Sequence, residues 1–208
     1  MARADGASTR ADLLEAAARV ISDRGYSGLS TRLVAETADV PLSQIHYHFG
    51  SKLQLVLAVL EEQNRVLLER QMAMYSSDMP LWEQWDQACD FLEEDLRSGY
   101  VRLLQEMIAA GWSDDQIAST VRTQLEGWHA LLTDVAGRAS ERVGAFGLFT
   151  AEEFAALAAS AFLGAEQMIL LGLGEATVPV RSALRTIGRL LRRVEEGDHE
   201  GSPSSVLG

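Results

Sequence analysis

Residues 29–52 read LSTRLVAETADVPLSQIHYHFGSK, and their side chains suit contact with a polar polymer better than catalysis. With a helix beginning at Pro41, Ile45 and Phe49 fall on one face with Leu42 beside them. Ser43, Gln44 and Tyr47 fall on the opposite face. That outer face offers hydrogen-bond donors, acceptors and an aromatic ring, and it carries no carboxylate. A helix offered to a DNA major groove needs such groups for base edges and must not repel phosphate. Catalytic patterns are missing elsewhere. There is no glycine-rich phosphate loop, no Ser/His/Asp order and no metal-spaced His/Cys cluster, so the chain does not read as an enzyme and implies no cofactor.

The elements that must hold this face are helical. Four prolines occur in 208 residues, and no run alternates polar and apolar at strand period. Leu13, Leu14, Ala17, Val20 and Ile21 make one helical stripe, ended by Gly25. Ser30 is placed to cap a short second helix ending near Ala38, with Leu29 and Val34 as a hydrophobic staple. Asp39 and Val40 form a tight turn, and Pro41 fits the first position of the third helix. After a break at Gly50, Ser51 caps a long fourth helix to about Ser76. Further helices are expected at 80–98, 100–110, 113–145, 151–173 and 178–195, followed by a disordered polar tail over 197–208. The expected fold is all-α with about nine helices. A helix-turn-helix domain spans 1–52, and a helical effector-binding and dimerisation domain spans 53–196.

Charge is unevenly divided. The formal net charge is −12, yet residues 1–52 hold six basic and six acidic side chains, so the whole excess lies in 53–208. An acidic body suppresses non-specific nucleic-acid binding by everything except the N-terminal face. Cys89 is the lone cysteine, so no intrachain disulfide forms, and it reads as a small buried apolar residue. The first ten residues lack an apolar signal region. Residues 154–173 have the length of a membrane span, but Glu166 and Gln167 lie inside the run, which reads instead as a buried interface helix. A cytoplasmic protein without a membrane partner is expected.

The N-terminal segment resembles the TetR family of transcriptional regulators. Thr9–Tyr26 (TRADLLEAAARVISDRGY) is similar to that family's first helix, and Val34-Ala35 with Ala38-Asp39-Val40 to its second helix and turn. Ile45–Lys52 (IHYHFGSK) is similar to its recognition-helix ending. Asp39 replaces the usual turn glycine, and His46 stands where tyrosine is usual. The resemblance covers about the first quarter of the chain. It implies a homodimeric, ligand-responsive repressor on a palindromic operator. It also implies that Ser43, Gln44 and Tyr47 face bases, with Leu42 at the edge. Thr31, Arg32, His46, His48 and Lys52 would hold phosphates. Lys52, the chain's single lysine, lies at a helix start, where the dipole also favours phosphate.

Aromatic and methionine side chains concentrate beyond residue 53, Phe146 among them. Trp82, Trp85, Trp112 and Trp128, with Met107 and Phe162, are the expected contacts of an apolar or aromatic small-molecule effector. A cationic effector is compatible with the acidic body, and Glu106 and Glu166 are candidates for its polar contacts, although solvated or salt-bridged carboxylates are the plainer reading. The last two helices are apolar on more than one face, with Phe154, Ala158, Ala161, Ala165, Met168 and Gly172 on one stripe. Val180, Leu184, Ile187, Leu191 and Val194 form the other stripe, which fits a four-helix dimer interface. The competing reading is a helical adaptor or ligand-binding protein with no DNA role. A buried Ser43–Tyr47 face would favour it.

Overall fold

The computed structural model describes residues 2–143 and 149–197, with side chains from 7 to 141 and from 149 onward. Phe146, His199 and the 198–208 part of the tail therefore lie outside the described residues. Nine helices and no strand occur among the described residues: α1 (Ala2–Gly28), α2 (Thr31–Thr37), α3 (Leu42–Phe49), α4 (Lys52–Tyr75), α5 (Leu81–Ser98), α6 (Tyr100–Gly111), α7 (Asp115–Val143), α8 (Ala151–Leu170) and α9 (Val180–Glu196). The all-α expectation holds, and most helix bounds fall within two residues of those read from the sequence, the usual scatter of frayed ends. The 151–173 helix is shorter, ending at Leu170, because the Gly172 φ of 77° breaks the chain just beyond it.

Compact packing divides the chain into two units. The first holds residues 1–70 and 93–128. In it α1 packs on α2, α3 and α6, and α2 packs on α3. Leu13, Ile21, Val34, Ile45, Leu55 and Leu60 are fully buried, as are Leu103 and Met107. The stripe on α1 thus finds the apolar faces of the two short helices. At about 25 cal/mol per Å² this burial is what holds helices too short to be stable alone.

The second unit holds residues 71–92 and 129–208, with α8 packed on α9. Phe162, Ala155, Ala159, Ala165 and Leu184 are buried there, and Trp85 lies 5.5 Å from Phe162, ring to ring. The α5–α9 contact is fixed by polar bonds. Trp85 Nε1 donates to Leu184 O at 2.8 Å, and the Arg185 guanidinium donates to Asp86 O at 2.8 Å and pairs with Asp90. Gly188 permits the close approach, since a Cβ there would stand 2.7 Å from Asp86 Oδ1. Helix α8 is the one described helix long and apolar enough to cross a membrane by composition, and Glu166 is buried in it.

Candidate nucleic-acid interface and apolar cavity

The α2–turn–α3 geometry follows from local chemistry. Ser30 is extended and its hydroxyl accepts from Leu33 N at 3.2 Å, which starts α2. Asp39 adopts φ 54°, the left-handed conformation that Asp tolerates better than most non-glycine residues, and so supplies the turn. Pro41 stands one position earlier than expected, as the residue before α3. Gly50 (φ 76°) ends α3, and the Ser51 hydroxyl accepts from Gln54 N at 3.2 Å to start α4.

Ile45 and Phe49 are buried, as the wheel requires, and they anchor α3. Leu42 is a correction to that wheel. It is 39% exposed, because it lies in the first turn where no neighbouring helix covers it. It therefore belongs with the outward face. Ser43 is exposed, Gln44 half-buried and Tyr47 80% exposed, so the face with base-reading chemistry is open. Arg32 is exposed and Thr31 half-buried at the start of α2. His46 is exposed, with Nδ1 3.3 Å from Gly50 O. That carbonyl only accepts, so Nδ1 is the donor of this contact. His48 is half-buried edge-on to Tyr47 at 4.9 Å, and its Nε2 is buried without a partner among the described residues. It presents less to a phosphate than the family resemblance implies.

Lys52 is engaged. Its Nζ donates to Tyr26 O at 3.3 Å and lies 4.6 Å from the Tyr26 ring centroid. The same tyrosine is held from the other side. Gly25 (φ 70°, ψ 175°) kinks α1 and frees the Tyr26 N–H, which donates to Glu106 Oε2 at 3.1 Å. Arg102 bonds Glu106 Oε1 at 3.1 Å and lies so close over Gly25 that a Cβ there would meet its guanidinium at 2.8 Å. Glu106 is therefore a clamp between α6 and the end of α1, in keeping with the salt-bridged reading of its carboxylate. The sequence carried a signal for it, a helix-ending Gly-Tyr whose amide needs an acceptor, but not which residue supplies one. Arg10, 5.4 Å over the Phe49 ring, was likewise not foreseen.

The expected effector contacts divide between the two units. Trp112 is 81% exposed at the end of α6, while Trp128 and the fully buried Met107 also belong to the first unit. Trp82, Trp85 and Phe162 belong to the second unit, where the Arg192 guanidinium lies 4.7 Å over the Trp82 ring. That unit contains an apolar cavity of about 40 Å³ lined by Tyr75, Leu81, Trp85, Val135, Phe154 and Ala158 among others. No lining residue is charged. Burial pushes the Tyr75 phenol pKa up, so the wall stays neutral. Of the six expected contacts, Trp85 alone lines it.

Residues 13–59 match the family of bacterial regulatory proteins described as the tetR family. The HTH-type transcriptional activator FasR of Mycolicibacterium smegmatis is 33% identical over 135 residues. The match covers 63% of this chain, and the chain spans 60% of that relative's length. Among solved structures, a transcriptional regulator from Saccharomonospora viridis in complex with choline aligns with a TM-score of 0.73 at 21% identity, over 87% of this chain and 95% of that one. A TetR-family regulator from Agrobacterium tumefaciens aligns at 0.71 with 20% identity, over 90% and 98%. Residues 13–59 are thus matched by the tetR family of bacterial regulatory proteins, and the all-helical fold of the described residues is the one those regulators share.

Proposed function

We propose that this chain is a sequence-specific DNA-binding transcriptional regulator whose operator affinity is set by a small apolar ligand. The observation that carries the reading is the open Ser43–Gln44–Tyr47 face of α3, free of carboxylates and held by the buried Ile45 and Phe49. Residues 1–52 are the DNA-reading part, 53–196 the effector and dimerisation part, and 197–208 a tail. A covered face would have favoured the adaptor reading, and Tyr47 is 80% exposed. Base contacts fall to Ser43, Gln44 and Tyr47, with Leu42 against a thymine methyl. Arg32, Thr31, His46 and Lys52 take phosphates, Lys52 after exchanging the Tyr26 carbonyl for one. Repression rested on the resemblance alone, and FasR carries the name of an activator, so the sign of regulation is left to where the operator lies.

A palindromic operator needs two copies. Leu157, Ala161, Met168 and Leu171, spaced four, seven and three residues apart, share one side of α8 and its C-terminal end, and all are exposed. Leu190 and Val194 add exposed apolar surface on α9. A C2 dimer through these faces would cover them and set two recognition helices about 34–36 Å apart, one turn of DNA. Choline occupies the regulator from S. viridis. The cavity here has no charged lining residue, so it suits the uncharged, apolar part of an effector.

The test is a mobility-shift assay on DNA from upstream of the chain's own coding sequence, with competitor DNA. A discrete complex that survives excess non-specific competitor supports the reading. Binding that any DNA competes away equally overturns it.

A further inference from the structure

We propose that the effector is a short amphiphilic carboxylate, its apolar tail in the Trp85 cavity and its carboxylate on Arg138 at the mouth. This rests on the ligand-responsive reading above and gives it a chemical class. The apolar cavity adjoins a polar cleft of about 300 Å³, and the two share Tyr75, Leu81, Val135 and Ala139 as walls. The inner part offers no hydrogen-bond donor from Trp85, whose Nε1 is spent on Leu184 O. A cavity of about 40 Å³ holds some three water-sized groups, which is room for a few carbons and not for a long chain.

The outer cleft is lined by Ser77, Asp78, Gln84 and Arg138 as well. Two of its neutral donors, Ser77 Oγ and Gln84 Nε2, are occupied. Ser77 Oγ donates to Met74 O at 2.6 Å, and Gln84 Nε2 donates to Met79 O at 3.1 Å. Arg138 retains capacity. Nη1 donates to Tyr75 O at 3.1 Å, which fixes the guanidinium beside the cavity wall. Its other partner is Asp134 at 3.0 Å, an i, i+4 pair in which both side chains are largely exposed. Such a pair is weak and easily exchanged, and a carboxylate delivered by a buried tail can take the fork of donors. Asp78, also at the cleft, makes a second negative charge on the ligand unfavourable, so a monocarboxylate fits and a dianion does not.

The experiment titrates straight-chain carboxylates of increasing length into the full chain, followed by calorimetry and tryptophan fluorescence. Alkanols and alkyltrimethylammonium ions of matched length run alongside. Each added methylene should tighten binding about fourfold until the cavity is filled, then stop. The carboxylate should bind at least about tenfold tighter than the alkanol. Arg138→Gln should remove that difference while leaving the alkanol unchanged. Ala158→Phe, in the half-buried wall, should abolish binding of both, with far-UV circular dichroism confirming the fold. Three results would each overturn the proposal: no carboxylate binding, an Arg138→Gln variant equal to wild type, or an alkylammonium that binds better. The same protein preparation is assayed on operator DNA. Operator binding without carboxylate binding sinks this inference alone, and carboxylate binding without operator binding sinks the regulator reading instead.

Discussion

Replacing Glu106 by Ala should destabilise the first unit by an amount the geometry sets. The kink at Gly25 leaves the Tyr26 N–H without a helical acceptor, and Glu106 Oε2 takes it at 3.1 Å. A hydrogen bond to a charged acceptor contributes about 1.5–3 kcal/mol. Tyr26 is half-buried and water can reclaim part of the loss, which places the cost at about 2 kcal/mol. The Arg102 pair adds little. Its side chains are 48% and 32% exposed, and such pairs contribute about 0.3–0.5 kcal/mol. Glu106→Gln keeps an acceptor of the same shape without the charge and should cost about half as much, roughly 1 kcal/mol. Arg102→Ala should cost less than either. Urea unfolding of the three variants measures the order. Equal losses for Glu106→Ala and Glu106→Gln, or no loss for either, would show that the carboxylate does not hold the end of α1.

Further outcomes follow from the turn, the apolar faces and a buried acid. Asp39→Gly should be neutral or raise the melting temperature, since φ 54° costs a non-glycine residue about 1 kcal/mol, whereas Asp39→Val should lower it. Ala161→Arg, exposed in the single chain, should leave the fold intact by circular dichroism yet yield monomers in sedimentation, because a charge would be trapped unpaired at the seam. Burial raises the Asp95 pKa against the opposing pull of Arg70. With the folded value above the unfolded one, its contribution to stability is present below the unfolded pKa and is lost as pH rises through the folded one. Asp95→Asn should remove that dependence from the acid limb of a stability–pH profile.

What the sequence disclosed was local. The Ser30 cap, the Asp39 turn and the burial of Ile45 and Phe49 each follow from a few neighbouring residues, so they are readable without tertiary knowledge. Leu42 shows the limit within a helix. The wheel set it beside Ile45 and Phe49, but coverage depends on what packs on the first turn, and Leu42 is left 39% exposed. The effector contacts are non-local and were mostly illegible. Aromatic content does not say which tryptophans meet, and Trp112, at the end of its helix, meets solvent. The partner of Glu106 was not legible because the amide freed by Gly25 lies 80 residues away in sequence. Arg138 gave no signal, being one arginine among many on an amphipathic helix.

The central claim is that α3 reads bases, and operator affinity measured by fluorescence anisotropy across a salt series tests it most directly. Wild-type protein is compared with Gln44→Ala, Tyr47→Ala and Lys52→Ala, each on operator and on scrambled DNA. Gln44→Ala and Tyr47→Ala should lose about 1–3 kcal/mol on operator and almost nothing on scrambled DNA. Lys52→Ala should weaken both about equally and flatten the salt slope by about one. Unchanged discrimination in both Gln44→Ala and Tyr47→Ala would contradict that claim, since these two side chains carry the face assigned to base reading.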